Sequence, residues 1–162
     1  MKHFLISVTV LFGIWMLFNA SVSPPVLLAG GVVSLIIALL SLGGEQLFGT
    51  LRLSPSALGH ALVYLLLFLW EVLRSNVDVA LRVISPSLPI NPGIVEVRTR
   101  LKSPLARLIL TSSITLTPGT LTVDIVDDRL FIHWIDVTSS DREAATEAIV
   151  RKFEKHLEVI YG

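Results

Sequence analysis

The chain has 162 residues, of which 52% are hydrophobic and 16% charged, with 13 basic residues against 13 acidic ones and no cysteine. So much apolar surface exceeds what an ordinary soluble domain can hide, which makes a membrane protein the first reading. The balanced charge offers nothing to nucleic acid, and the missing cysteines exclude disulfides, thiolate catalysis and cysteine-type zinc sites.

The charges are unevenly placed. Residues 1–70 hold only Lys2, Glu45 and Arg52, and all the others follow. From Phe4 to Gly44 there is no charged residue, and the run is broken only by the polar stretch Asn19 to Ser23 and by Pro24-Pro25. Two apolar helices, Phe4–Val22 and Val26–Gly44, are predicted, each close to the roughly 30 Å hydrocarbon core at about 1.5 Å per residue. Residues 1–52 therefore read as a transmembrane helical hairpin, with the prolines at a helix start, where the missing amide costs nothing. A rival reading takes MKHFLISVTVLFGIWMLF as a cleaved signal peptide ending near ASVS, but the second apolar segment follows too closely for a soluble mature protein.

After the linker EQLFGTLRLSPS, an apolar run from Ala57 to Trp70 passes into EVLRSNVDVALRVI. There Leu73, Val77, Ala80 and Ile84 take one side, and Glu71, Arg74, Ser75, Asp78 and Arg82 the other. One helix, Ser56–Ile84, is the economical reading, and residues 53–85 are expected at or in the membrane. Lys2 and the uncharged turn put the N-terminus inside, while residues 71–107 carry six Arg or Lys against three acidic residues, which argues for the cytoplasmic side. Two full crossings with the third helix shallow or interfacial reconcile these signals. Three crossings with the N-terminus outside is the other possibility.

A breaker-rich linker, residues 86–92, leads to a small α+β region, residues 93–162. Ile94, Val95 and Val97 read as a strand, and Ser103-Pro104 opens a short helix to about Leu110. Leu121–Val126 and Leu130–Asp136 form a hairpin around Asp127-Asp128. Ser140 and Glu143 make a capping box for a last helix to about Ile160, with Ala144, Ala148, Phe153, Leu157 and Ile160 toward the sheet. The fold class is thus a membrane α-helical hairpin, a third partly amphipathic helix, and a small α+β (βαββα) cytoplasmic domain.

In TLTPGTLTVD, Thr115–Asp124, Pro118-Gly119 suits the middle of a type II turn, with Thr115, Thr117 and Thr120 able to bond local backbone groups. The plain reading is a structural turn, and the functional one a docking edge for a partner. SSITLTPGTLTVDI, together with WEVLRSNVDVA (Trp70–Ala80) and PINPGIVEV (Pro89–Val97), resembles the E subunit of the Mrp (Mnh) multisubunit cation/proton antiporters. The resemblance covers nearly the whole chain, and the N-terminal hairpin matches in hydropathy alone. It implies a small integral subunit of a proton-motive-force-driven Na⁺/H⁺ antiporter in a bacterial or archaeal inner membrane. In that family the large proton-translocating subunits resemble those of respiratory complex I, and the E subunit lies apart from them with a cytoplasmic C-terminal domain.

Carboxylates near a membrane are candidates for ion pathways. Glu71, three residues before Arg74, reads as one partner of a local ion pair or as a group on a proton path. Asp78 and Arg82 form an i,i+4 pair, and Glu45 falls in the headgroup region. His60 is the titratable group inside the third apolar run, a snorkelling or hydrogen-bonded side chain or a relay member. His133 and His156 make no metal-site spacing, and RKFEKHLE reads as a solvated helix face. No nucleophile elbow, phosphate loop or zincin motif is present, so no catalytic residue, metal or cofactor is expected. The expected role is an accessory subunit that supports assembly and lines part of an ion path, its partners being other antiporter subunits and the lipid bilayer, with no nucleic acid. The alternative is a stand-alone membrane-anchored adaptor whose α+β domain binds a soluble partner.

Overall fold

The computed structural model describes residues 2–40, 51–52, 54–139 and 141–162. The chain divides into two units, Met1–Leu51 and Arg52–Gly162. The expected Glu45 site, Ser140 and the ends of the second apolar run and linker lie outside the described residues.

The first unit is the predicted hairpin, α1 (Lys2–Asn19) and α2 (Pro24–Leu40). Small residues at Gly30, Ser34 and Ala38, one per turn, form the buried face of α2 and let the helices approach closely. A Cβ at Gly30 would run into the indole of Trp15, whose Nε1–H donates to the Val26 carbonyl at 3.0 Å.

The second unit begins with α3 (Pro55–Ile84), capped by Ser54, whose hydroxyl oxygen accepts from the Ala57 amide, with Pro55 in the first turn. Among the described residues α3 is the one helix that is long and apolar enough to cross a membrane, judged by length and composition. Then come β1 (Gly93–Arg98), α4 (Pro104–Leu116), β2 (Thr120–Val126) and β3 (Arg129–Trp134). The chain closes with α5 (Arg142–Thr146), a π-helical turn (Glu147–Arg151) and α6 (Lys152–Tyr161). The three strands are antiparallel in the order β1-β3-β2, so the expected βαββα order stands. Val95 and Val97 of β1 and Leu130 and Ile132 of β3 meet Leu110, Ile114, Val150, Phe153 and Leu157 of the helices in one core, all nearly or fully buried. Burying such side chains is worth roughly 1.5–3 kcal/mol each, which fixes the helical layer on one face of the sheet.

Four local expectations need correction. The helix from Pro104 continues six residues beyond Leu110 to Leu116, because burial of Thr111, Ser113 and Ile114 overrides their weak helix propensity. Strand β3 stops at Trp134, and Asp136 makes only an isolated bridge to Asn91. The cap of α5 is Asp141, whose Oδ2 accepts from the Ala144 amide at 2.9 Å. Ala144 and Ala148 are exposed, and Ala145 and Ile149 face the core instead, one residue along.

Candidate functional site

The amphipathic half of α3 docks the other way round from a soluble helix. Leu73, Val77 and Ile84 are exposed, while Glu71 is buried and Arg82 half-buried against the sheet-and-helix unit. The polar face thereby closes one side of a cleft of about 360 Å³. Its other walls are the turn Thr117–Thr120, the segment Trp134–Asp136 after β3, and Ala148, Ile149, Lys152 and Phe153. Residues of WEVLRSNVDVA on α3 and of TLTPGTLTVD after α4 are brought together here.

Within the cleft the carboxylates are paired. Lys152 Nζ donates to Glu71 Oε2 at 2.5 Å, so the partner of Glu71 is Lys152 and not the expected Arg74, which stays exposed on the cleft rim. The reason is geometric: Glu71 points at the start of α6, where Lys152 stands within hydrogen-bond distance. The expected Asp78–Arg82 pair is present at 2.8 Å, and Arg82 also reaches Asp136 at 2.9 Å and the Pro89 carbonyl at 2.5 Å. Arg82 thus ties α3 to the connector and to the end of the sheet. The sequence hid Lys152 and Asp136, since neither ion pair is local.

The turn answers the question its hydroxyls raise. The Thr120 amide donates to the Thr117 carbonyl at 3.3 Å across Pro118-Gly119, and Gly119 has φ +93°, a type II arrangement. Thr117 Oγ1 donates to the Ser113 carbonyl and Thr120 Oγ1 to the Ile114 carbonyl. Thr115, in the last turn of α4, accepts from the Thr122 amide, and Thr122 Oγ1 donates to the Thr111 carbonyl. These hydroxyls satisfy the end of α4 and the start of β2.

Further along α3, His60 and His156 meet through their Nδ1 atoms at 3.1 Å, with Tyr64 and Ser113 hydroxyls 2.5 Å apart one turn on. One imidazole must donate and the other accept, so the pair is made with at least one ring neutral. Burial, then the neighbouring Lys155 and His60, push the His156 pKa down from its ordinary value. Burial pushes the Tyr161 phenol up.

RKFEKHLE is not a wholly solvated face. Glu154 is fully buried and accepts from Thr99 Oγ1 and the Arg100 amide, both at 2.6 Å, and from Arg151. The signal was available: Val150, Glu154 and Leu157 share the buried stripe at i, i+4 and i+7. Among the described residues no group of three or more His, Cys, Asp or Glu could hold a metal ion.

A family model described as Na⁺/H⁺ ion antiporter subunit matches residues 8–160. The chain belongs to this family. The Na⁺/H⁺ antiporter E subunit of Bacillus subtilis (strain 168) is 36% identical over 148 residues, 90% of each chain. The corresponding E1 subunit of Staphylococcus haemolyticus (strain JCSC1435) is 34% identical over 88% of this chain and 87% of its own. Among solved structures, a chain of the membrane-bound sulfane sulfur reductase, an archaeal respiratory membrane complex, is 43% identical. It covers 99% of this chain and 100% of that one, with a TM-score of 0.86. A chain of the Mrp complex from Dietzia sp. DQ12-45-1b is 29% identical over 60% of this chain and 91% of that one, with a TM-score of 0.43. The antiporter subunit is thus a transporter component rather than an enzyme, and its partners are other subunits of a membrane complex.

Proposed function

We propose that this subunit is an accessory, scaffolding part of a proton-motive-force-driven Na⁺/H⁺ antiporter, with the hairpin crossing the membrane and the α+β unit on the cytoplasmic side. The carrying observation is that the carboxylates of the cleft are matched by cations: Glu71 by Lys152, and Asp78 and Asp136 by Arg82. A carboxylate on a proton path must be released to titrate. Those here are engaged in holding α3 to the domain. The test is Na⁺/H⁺ exchange in membrane vesicles containing the assembled complex with Glu71→Gln. Retention of most of the exchange supports the scaffold, whereas loss of exchange at every pH in an intact complex puts Glu71 on the ion path.

The 43% identity over essentially all of both chains to the reductase subunit favours a second setting. In it, the same antiporter-type subunit serves a respiratory membrane complex. Gentle purification of the tagged chain distinguishes the settings. Company of large, very hydrophobic subunits alone indicates an antiporter, and additional redox subunits with visible absorbance indicate a respiratory complex. A chain that purified only with a soluble protein would support the adaptor.

A further inference from the structure

We propose that α3 lies flat in the membrane interface, with its outer face in lipid and its inner face carrying the α+β unit. This holds whichever complex contains the subunit. Leu58, Leu62, Leu66, Leu73, Val77 and Leu81 remain 58% to 72% exposed, and their spacing of four and seven residues places them on one side of the helix. All four charged residues of α3, Glu71, Arg74, Asp78 and Arg82, line the cleft on the opposite side. At about 1.5 Å per residue the stripe from Leu58 to Leu81 runs roughly 35 Å, a little longer than the roughly 30 Å that an upright span can use.

The neighbour of α3 decides its orientation. Helix α6 runs beside the first half of α3: the Arg52 amide donates to the Ile160 carbonyl, His60 meets His156, and Glu71 meets Lys152. An upright α3 would carry Lys152, Lys155 and Glu158 into the hydrocarbon, where charge is strongly disfavoured. A flat α3 keeps them on the aqueous side. The occupant is lipid rather than a partner helix, because an upright helix roughly 10 Å across covers only about two turns, whereas the stripe is continuous and a bilayer surface matches its whole length. Trp70, 62% exposed beside the stripe, fits the headgroup boundary.

The chain has no cysteine of its own, so nitroxide labels at Leu58→Cys, Leu66→Cys, Val77→Cys and Leu81→Cys are unique within the subunit, and the unsubstituted complex carried through the same labelling gives the background to subtract. The complex is reconstituted in vesicles of mixed anionic and zwitterionic phospholipid, and each label's depth is read from collisions with oxygen and with a water-soluble nickel chelate. All four should lie at one shallow depth, roughly 5–10 Å below the headgroups. A depth that changes steadily along the helix means a crossing, and overturns the proposal. Labels shielded from both reagents mean a protein cover, and labels open to the chelate mean water; either also overturns it. Should a label disturb assembly, quenching of Trp70 by brominated lipid, taken as the difference between wild type and Trp70→Phe, reports the same depth. Strong quenching by shallow bromines is expected, and none would sink the idea.

Discussion

Glu71 and Lys152 stand 81 residues apart in the chain, and their charged groups meet at 2.5 Å across the α3–α6 contact. The two are unequally exposed: 12% of the Glu71 side chain is accessible, against 32% for Lys152. Lys152→Met leaves an unpaired carboxylate in the less exposed of the two positions, while Glu71→Gln leaves an amine that is more open to water. We expect Lys152→Met to cost about 2 kcal/mol and Glu71→Gln about 1, with the double variant recovering part of the loss. Thermal unfolding of the detergent-solubilised subunit checks the order, and equal costs would contradict it.

Gly119 holds φ +93°, and a Cβ there would sit 3.0 Å from Ile135 Cγ2. Gly119→Ala should therefore lose about 1–3 kcal/mol from backbone strain, and Gly119→Val more. The readout is lower abundance and poorer assembly. Normal abundance with abolished transport would make the turn a functional contact instead.

Glu154 is the buried post that fixes the segment after β1, through Thr99 and the Arg100 amide. Glu154→Ala strands these donors and the Arg151 guanidinium, at a cost of about 3–5 kcal/mol. Proteolysis at Arg100 and Lys102 should accelerate first. An unchanged cleavage rate would mean that the segment is held by other contacts.

His156 gives the domain a pH dependence whose sign follows from its lowered pKa. The unfolded chain takes up the proton near the ordinary value of 6.5, and the folded one only at lower pH. The stabilisation is complete above about pH 6.5 and is lost as pH falls through the folded value. Lys155 and the His60 ring, whose Nδ1 lies 3.1 Å from that of His156, add to the cost of charging His156. Unfolding midpoints measured from pH 8 to 5.5 should fall below pH 6.5 in wild type, and less in His156→Asn. Parallel curves would remove the histidine pair from this role.

Much of this organisation was legible because it rests on local signals. Pro24-Pro25 and Ser103-Pro104 mark helix starts by backbone chemistry, and Pro118-Gly119 dictates its turn, whereas Ser54-Pro55, read as linker, caps and opens α3. What could not be read depends on partners distant in sequence. Arg74 lay nearer to Glu71 in the chain than Lys152, but only the docking of α6 decides between them. By sequence the helix from Pro104 ends near Leu110, and residues 111–116 are helical because their inner face is buried. The two-sidedness of α3 was plain; which side met protein was not, because in a membrane chain the apolar face has a solvent of its own.

The π-helical turn Glu147–Arg151 sits between α5 and the segment that grips α3. Such a turn houses one residue more than an α-helical turn, while the helix on either side keeps its direction and phase. The last helix therefore treats insertions and deletions unequally along its length. One residue removed from the wide turn is absorbed there, leaving Lys152 opposite Glu71 and His156 opposite His60. One residue removed between Lys152 and His156 turns everything beyond it by about 100° and parts the histidines.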